Sequence, residues 1–305
     1  MTIWQPDSGE TLLARSPVTF ATGAAPRVRG MRWFRDPDRN DIQHELPGWP
    51  EGPSFTARSV GGGIAERSLR GAAVAAGVAV MTFLGSAGGN LSGGSTADGE
   101  GSDTPDVPQD EVEDFPVMWA APGSIARTLP WQLDPGRENQ KLFTTHLIVT
   151  DRRLVIVHLP YYGEELERIE DDVLWQCARS DIQQVARRDF KDGTDFVIAF
   201  VDGSWCRLRS VRRVQLLRYL APPRDLLALT DLTPEQKRTV HAFAEEHEAP
   251  GTPFPVVSRN PTGRLRVETF PLSRYTSAFG AAEVNITMDS DGRKVDVGDY
   301  LPEDF

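Results

Sequence analysis

The chain has 305 residues, 39% of them hydrophobic and 25% charged, which is enough for one large or two small self-supporting domains of ordinary globular composition. A net charge of −11 argues against nucleic acid as a partner, and the two cysteines, Cys177 and Cys206, exclude a disulfide scaffold and offer no metal-ligand spacing. The start, Met1-Thr2-Ile3-Trp4-Gln5-Pro6-Asp7, lacks the basic stretch and apolar run of a secretory signal, so the cytoplasm is the expected location.

Residues 1–60 are rich in Pro, Arg and Trp. Their short apolar runs, at 12–13, 17–21 and 31–34, read as edge strands at most, because Pro6, Pro17, Pro26, Pro37, Pro47, Pro50 and Pro53 interrupt every candidate. An irregular arm is the expectation. At Gly61-Gly62-Gly63-Ile64-Ala65-Glu66 the glycines invite a phosphate loop, but Glu66 stands where the dinucleotide pattern needs its third glycine, and no cofactor is expected.

Residues 61–87 hold an Ala/Gly-rich helix, uncharged from 71 onward. Gly71 with Ala75, and Ala73 with Gly77, set small residues four apart, a spacing that permits close helix contact, while Val80, Phe83 and Leu84 supply apolar bulk. The strongly apolar part, 72–84, is shorter than the roughly 20 residues a spanning helix needs. Three readings stay open: a buried or self-associating helix that makes a homo-oligomer, a helix lying in a membrane interface, and a true span. Residues 88–114 read as a disordered linker, because apolar residues are scarce and all eight charges are acidic.

A second domain is expected over 115–222. Strands are predicted at 117–120 and 124–129 around Pro122-Gly123, then at 142–150, 153–159, 173–177, 181–185, 196–201 and 204–209. Two β-branched runs flank Asp151-Arg152-Arg153, which reads as a tight hairpin, and Asp202-Gly203 predicts another, of type I′. A helix over 211–220 would place Val211, Val214, Leu217 and Leu220 on its apolar face. Over 223–305 a C-terminal extension follows. Thr233-Pro234-Glu235-Gln236 carries the N-cap, first-turn proline and capping-box glutamine of a helix reaching about residue 248, with Val240, Phe243 and Ala244 on its buried side. Strands at 265–270, 284–288 and 294–297 come next, the last two joined as a hairpin at Asp289-Ser290-Asp291-Gly292.

Three motifs carry a resemblance. Val149-Thr150-Asp151-Arg152-Arg153-Leu154-Val155 resembles the T-D-R-R-L hairpin of bacterial pleckstrin-homology-like and GRAM-like domains. Ser180-Asp181-Ile182-Gln183-Gln184-Val185 is similar to their x-D-I-x-x-V strand, and Phe200-Val201-Asp202-Gly203-Ser204 to their F-x-D-G hairpin. The Arg- and Ala-rich composition also resembles an actinobacterial family. The resemblance covers about 115–220 and implies an α+β, mostly β fold: an antiparallel barrel or sandwich closed by a C-terminal helix. It further implies a module that binds lipid headgroups, peptides or protein partners. The dense lysine set of phosphoinositide-binding members is missing here.

Candidate binding residues fall into two basic sets. Arg187, Arg188 and Lys191 sit at a strand tip and suit an anionic headgroup or an acidic peptide; Arg207, Arg209, Arg212 and Arg213 sit at the junction of strand and helix. The acidic linker folded back on a basic face would be an autoinhibitory arrangement. His146 and His158 lack companion ligands, and His241 with Glu245 would need a third, so no metal is expected. No nucleophile elbow or carboxylate pair in an apolar setting is present, so catalysis is not expected. The reading is a non-enzymatic scaffold that recognises a protein partner. The alternative is a peripheral membrane protein docking on anionic lipid through 71–84 and the basic tip.

Overall fold

The computed structural model of the chain describes residues 3–21, 34–49, 116–135, 145–159, 171–188, 194–220, 224–248, 252–270, 284–301 and 304. All belong to one unit, made of Met1–Ala24, Trp33–Gly52 and Pro116–Phe305. In chain order its elements are β1 (Leu12–Pro17), β2 (Thr19–Phe20), β3 (Phe34–Arg35), β4 (Met118–Trp119), β5 (Thr145–Thr150), β6 (Arg153–His158), β7 (Asp172–Ala178), β8 (Ile182–Arg188), β9 (Asp195–Phe200), β10 (Trp205–Arg209), helix α1 (Arg213–Leu220), β11 (Asp225–Leu227), helix α2 (Pro234–Glu246), β12 (Val256–Arg259), β13 (Leu265–Thr269) and β14 (Val284–Met288). The fold is α+β and mostly β.

Three sheets result. The first runs β1-β5-β6-β7 and the second β3-β4-β10-β9-β8, with β2 also on β10; every pairing is antiparallel except β3 with β4. The β-branched runs of β5 and β6 are buried nearly throughout, as befits central strands, whereas β7 buries only Trp175 and Cys177 and β8 only Val185, and both lie at the ends of the described sheets. The hairpin at Asp151-Arg152 forms as expected, closed by Thr150, whose Oγ1 accepts from the Arg152 and Arg153 N–H groups at 3.1 and 2.9 Å. Between the two sheets Trp175 meets Phe200 edge to face at 6.2 Å. On the first sheet, Leu12, Ile148, Val155 and Val157 form a cluster with Trp4 and Leu159 against it.

The N-terminal stretch contributes more than an irregular arm. Residues 12–20 form one extended run: β1 pairs with β5, then Val18 donates to the Thr145 carbonyl at 2.9 Å, and β2 pairs with β10. A single segment thus passes from one sheet to the other. Among the described strands no ladder joins the sheets, so they do not close into a barrel.

Other expectations also shift. Residues 125–128 are a 3-10 turn instead of a strand, because Asp202 Oδ2 accepts the Ile125 N–H at 2.6 Å and Ser204 Oγ the Ala126 N–H at 3.1 Å. The Asp202-Gly203 hairpin is not type I′: only Gly203 has positive φ, at 83°, and its N–H donates to Phe200 O while Phe200 N–H donates to Ser204 O. This is a type I turn completed by a left-handed glycine, the three-residue hairpin solution. The same bonding recurs at 260–264 and 289–293. Residues 294–297 provide one bridge, Lys294 to Met288, and not a strand.

Helix α1 begins at Arg213 and turns a different face inward from the one its valines suggest. Arg213, Gln215, Leu216, Tyr219 and Leu220 are buried, while Val211 and Val214 are 56% and 62% exposed. The reason is Arg213, whose guanidinium Nη1 donates to the carbonyls of Arg188 at 2.7 Å and Asp195 at 2.9 Å and so sets the rotation of the helix. The C-terminal extension is a third sheet, β11-β12-β13-β14, larger than the expected hairpin. Against it packs α2, joining Val240 and Phe243 to Leu232, Val257, Leu265, Val267, Ile286 and Met288. Its capping box forms: Gln236 N–H donates to Thr233 Oγ1 at 3.2 Å, and Thr233 N–H to Gln236 Oε1 at 2.9 Å.

Candidate partner-binding surface

Strand β8 has β9 on one side and, among the described strands, none on the other. Gln183, Gln184, Arg187 and Arg188 are exposed along it. Polar and charged side chains on an open edge discourage pairing with a second copy, since like charges would then meet. The end of the strand is fixed from behind by the Arg213 bridge, which ties the last carbonyl of β8 to the first of β9. Arg187 and Arg188 are therefore exposed at an anchored strand end, and Val211 and Val214, on either side of Arg213 in the sequence, are exposed too. Lys191, the third member of the basic tip, lies outside the described residues.

The second basic set divides. Arg207 is 1% exposed and reaches Asp195, itself fully buried, with Nε 3.8 Å from Oδ2. Arg213 is 4% exposed and spent on the two carbonyls. Arg209 and Arg212 are half-buried. The expectation of one basic face from these four is corrected: two are interior residues that hold β9, β10 and α1 together. The pattern of the strand misled here, because alternation in Trp-Cys-Arg-Leu-Arg counts arginine as polar although a neighbouring Asp195 permits its burial.

Sequence reasoning also missed an interior clamp. Arg15, 1% exposed, pairs bidentately with Asp171 at 2.7 Å through both terminal nitrogens, and its Nε donates to His146 Nδ1 at 3.1 Å. Trp4 N–H adds a bond to the same carboxylate at 2.7 Å. Burial, then the charges of Arg15 and Arg212, keep His146 neutral well below its ordinary range. The available signal was an arginine inside the otherwise weakly polar strand Leu-Leu-Ala-Arg-Ser-Pro.

Cys177 and Cys206 are free, buried thiols. Burial pushes Cys177 up to about 12 and raises Cys206 as well, so both stay protonated and behave as small apolar groups. No cluster of three His, Cys, Asp or Glu side chains suited to a metal occurs among the described residues. His241 is exposed on α2 with its ring 5.7 Å from Phe254. The self-association or membrane candidates Gly71, Ala75, Gly77, Val80, Phe83 and Leu84, and the acidic stretch 88–114, lie outside the described residues; among those described, no helix is long and apolar enough to cross a membrane. No family model, curated protein or solved structure matches the chain.

Proposed function

We propose that the chain is a pleckstrin-homology-like binding module and that it recognises a protein partner carrying an extended acidic segment. What supports the family reading is the architecture: two mostly antiparallel sheets share one N-terminal run, and a helix follows β10. The T-D-R-R-L and D-G motifs lie on the β5–β6 and β9–β10 hairpins, which agrees with that reading.

The observation that carries the binding reading is the β8 edge. It combines a side with no described strand against it, two exposed arginines at an anchored end, and two exposed valines that flank the anchoring Arg213 in the sequence. An extended segment adds to such an edge through main-chain bonds; its carboxylates meet the guanidinium groups, and its apolar side chains meet Val211 and Val214. A random peptide library displayed on phage and panned against the full chain tests this. Acidic sequences with β-branched residues at alternate positions are expected to be enriched, and Arg187→Glu/Arg188→Glu to bind them at least tenfold more weakly. Equal binding by both chains would refute the reading. Flotation with anionic vesicles, abolished by deleting 71–91, would instead move the function to a membrane.

A further inference from the structure

The C-terminal sheet holds a second polar site, unrelated to the β8 edge. Asp304 is fully buried, although it follows a surface turn and the 41%-exposed Leu301. Its carboxylate accepts from Asn260 Nδ2 at 2.9 Å, Arg264 Nη1 at 2.7 Å and the Leu301 N–H at 2.9 Å, and its backbone carbonyl accepts from Arg266 Nη1 at 2.7 Å. These donors are organised by groups other than Asp304. The turn at 260–264 places Asn260 and Arg264 side by side, with the Asn260 N–H on the Arg264 carbonyl at 2.8 Å. Arg224 donates to Asn260 Oδ1, which aims the amide nitrogen at the carboxylate. Glu268 accepts from Arg266 Nε at 2.7 Å and from Arg218 at 3.1 Å, which leaves the far nitrogen of Arg266 for the carbonyl. Arg218 and Arg266 thus share Glu268, while Arg224 holds Asn260 and Arg264 reaches the Asp304 carboxylate and the Asp299 carbonyl, so the donors that meet Asp304 are oriented charge-assisted groups.

We infer that Asn260, Arg264 and Arg266 form a receptor site for an aspartate within a peptide, filled in cis by Asp304. The residue is read at two points, its carboxylate and its own carbonyl, which is how a peptide ligand is held and how a lone anion is not. The tether is short, running from Tyr300, whose hydroxyl accepts the Thr287 N–H at 2.9 Å. The segment therefore competes at the high effective concentration of an intramolecular ligand, about millimolar. A segment of the same chemistry from a partner protein enters only when the tether leaves.

The test uses the full chain and a labelled peptide with the sequence of residues 297–305. Asp304→Ala is expected to bind this peptide at least tenfold more tightly than the unaltered chain does, and Asp304→Ala/Arg264→Ala to lose that gain. A peptide with asparagine in place of its second aspartate should bind at least tenfold more weakly. Equal binding to the altered and unaltered chains, or indifference to the aspartate, would overturn the inference. Should Asp304→Ala not fold, hydrogen exchange decides on the unaltered chain: excess peptide should speed exchange at the Leu301 and Asp304 amides by at least threefold, and unchanged exchange there would overturn it. Both readouts lie in the C-terminal sheet, so their failure leaves the β8 reading untouched.

Discussion

Arg15 illustrates how a charge is made tolerable in an interior. Its guanidinium has a bidentate carboxylate and an imidazole nitrogen, and each partner depends on it in turn. Arg15→Ala would strand Asp171 and His146, and a loss of about 3–5 kcal/mol is expected in urea unfolding, the range for breaking a buried pair. Glu10 and Asp304 give a pH signature. Burial by itself would raise both carboxyls; for Glu10 the bonds from Arg153, Thr150 and the Asp7 amide outweigh it, and for Asp304 the bonds from Leu301 N–H, Arg264 and Asn260 do. Both end below their ordinary values, so the unfolded chain binds protons more readily than the folded one. Their stabilisation is complete above the ordinary carboxylate range of about 4 and lost as pH falls through the folded values. His146 acts in the same direction at higher pH: held neutral when folded, it protonates in the unfolded chain below about 6.5. Unfolding midpoints should therefore decline below neutrality and drop again in the acid range, and His146→Gln should flatten the first decline.

At the scale of elements, α2 and the turn opposite it form one unit. A side chain at Gly292 would place its Cβ 2.7 Å from Gln236 N, and its φ of 83° already disfavours one. Thr239 Oγ1 donates to the Gly292 carbonyl at 2.5 Å, and Gln236 Nε2 to Ser290 O at 2.9 Å. Thr233→Ala should cost about 1 kcal/mol through the lost cap. Gly292→Ala should cost more, since backbone on both sides must move, and a smaller cost in thermal unfolding would contradict the packing described. The cap was legible because its residues are neighbours in sequence, and so were the hairpins at Asp151-Arg152 and Asp202-Gly203. The rotation of α1 was not, because two carbonyls from other strands draw Arg213 inward against the pull of its flanking valines. Of the basic candidates, Arg187 and Arg188 are exposed at the end of β8, while Arg207 is buried against the Asp195 carboxylate and Arg213 against the Arg188 and Asp195 carbonyls, partners that no local pattern pairs with them.

The described unit is held together by non-local contacts. Arg15 meets a histidine 131 residues further on, and residues 12–20 complete both sheets. No periodicity could announce this, since β1 contains an arginine and ends at Pro17. A fragment of residues 116–305 should accordingly lose cooperative unfolding, and adding a peptide of residues 1–24 should restore it; a stable fragment would show that the N-terminal run is dispensable. The proposed function belongs to the same scale, since it turns on where a partner would sit. Hydrogen exchange of the full chain with an acidic peptide recovered by panning locates it most directly. Slowed exchange over 182–188 and 211–214, lost in Arg187→Glu/Arg188→Glu, is the predicted result; unchanged exchange there, with protection elsewhere, would contradict it.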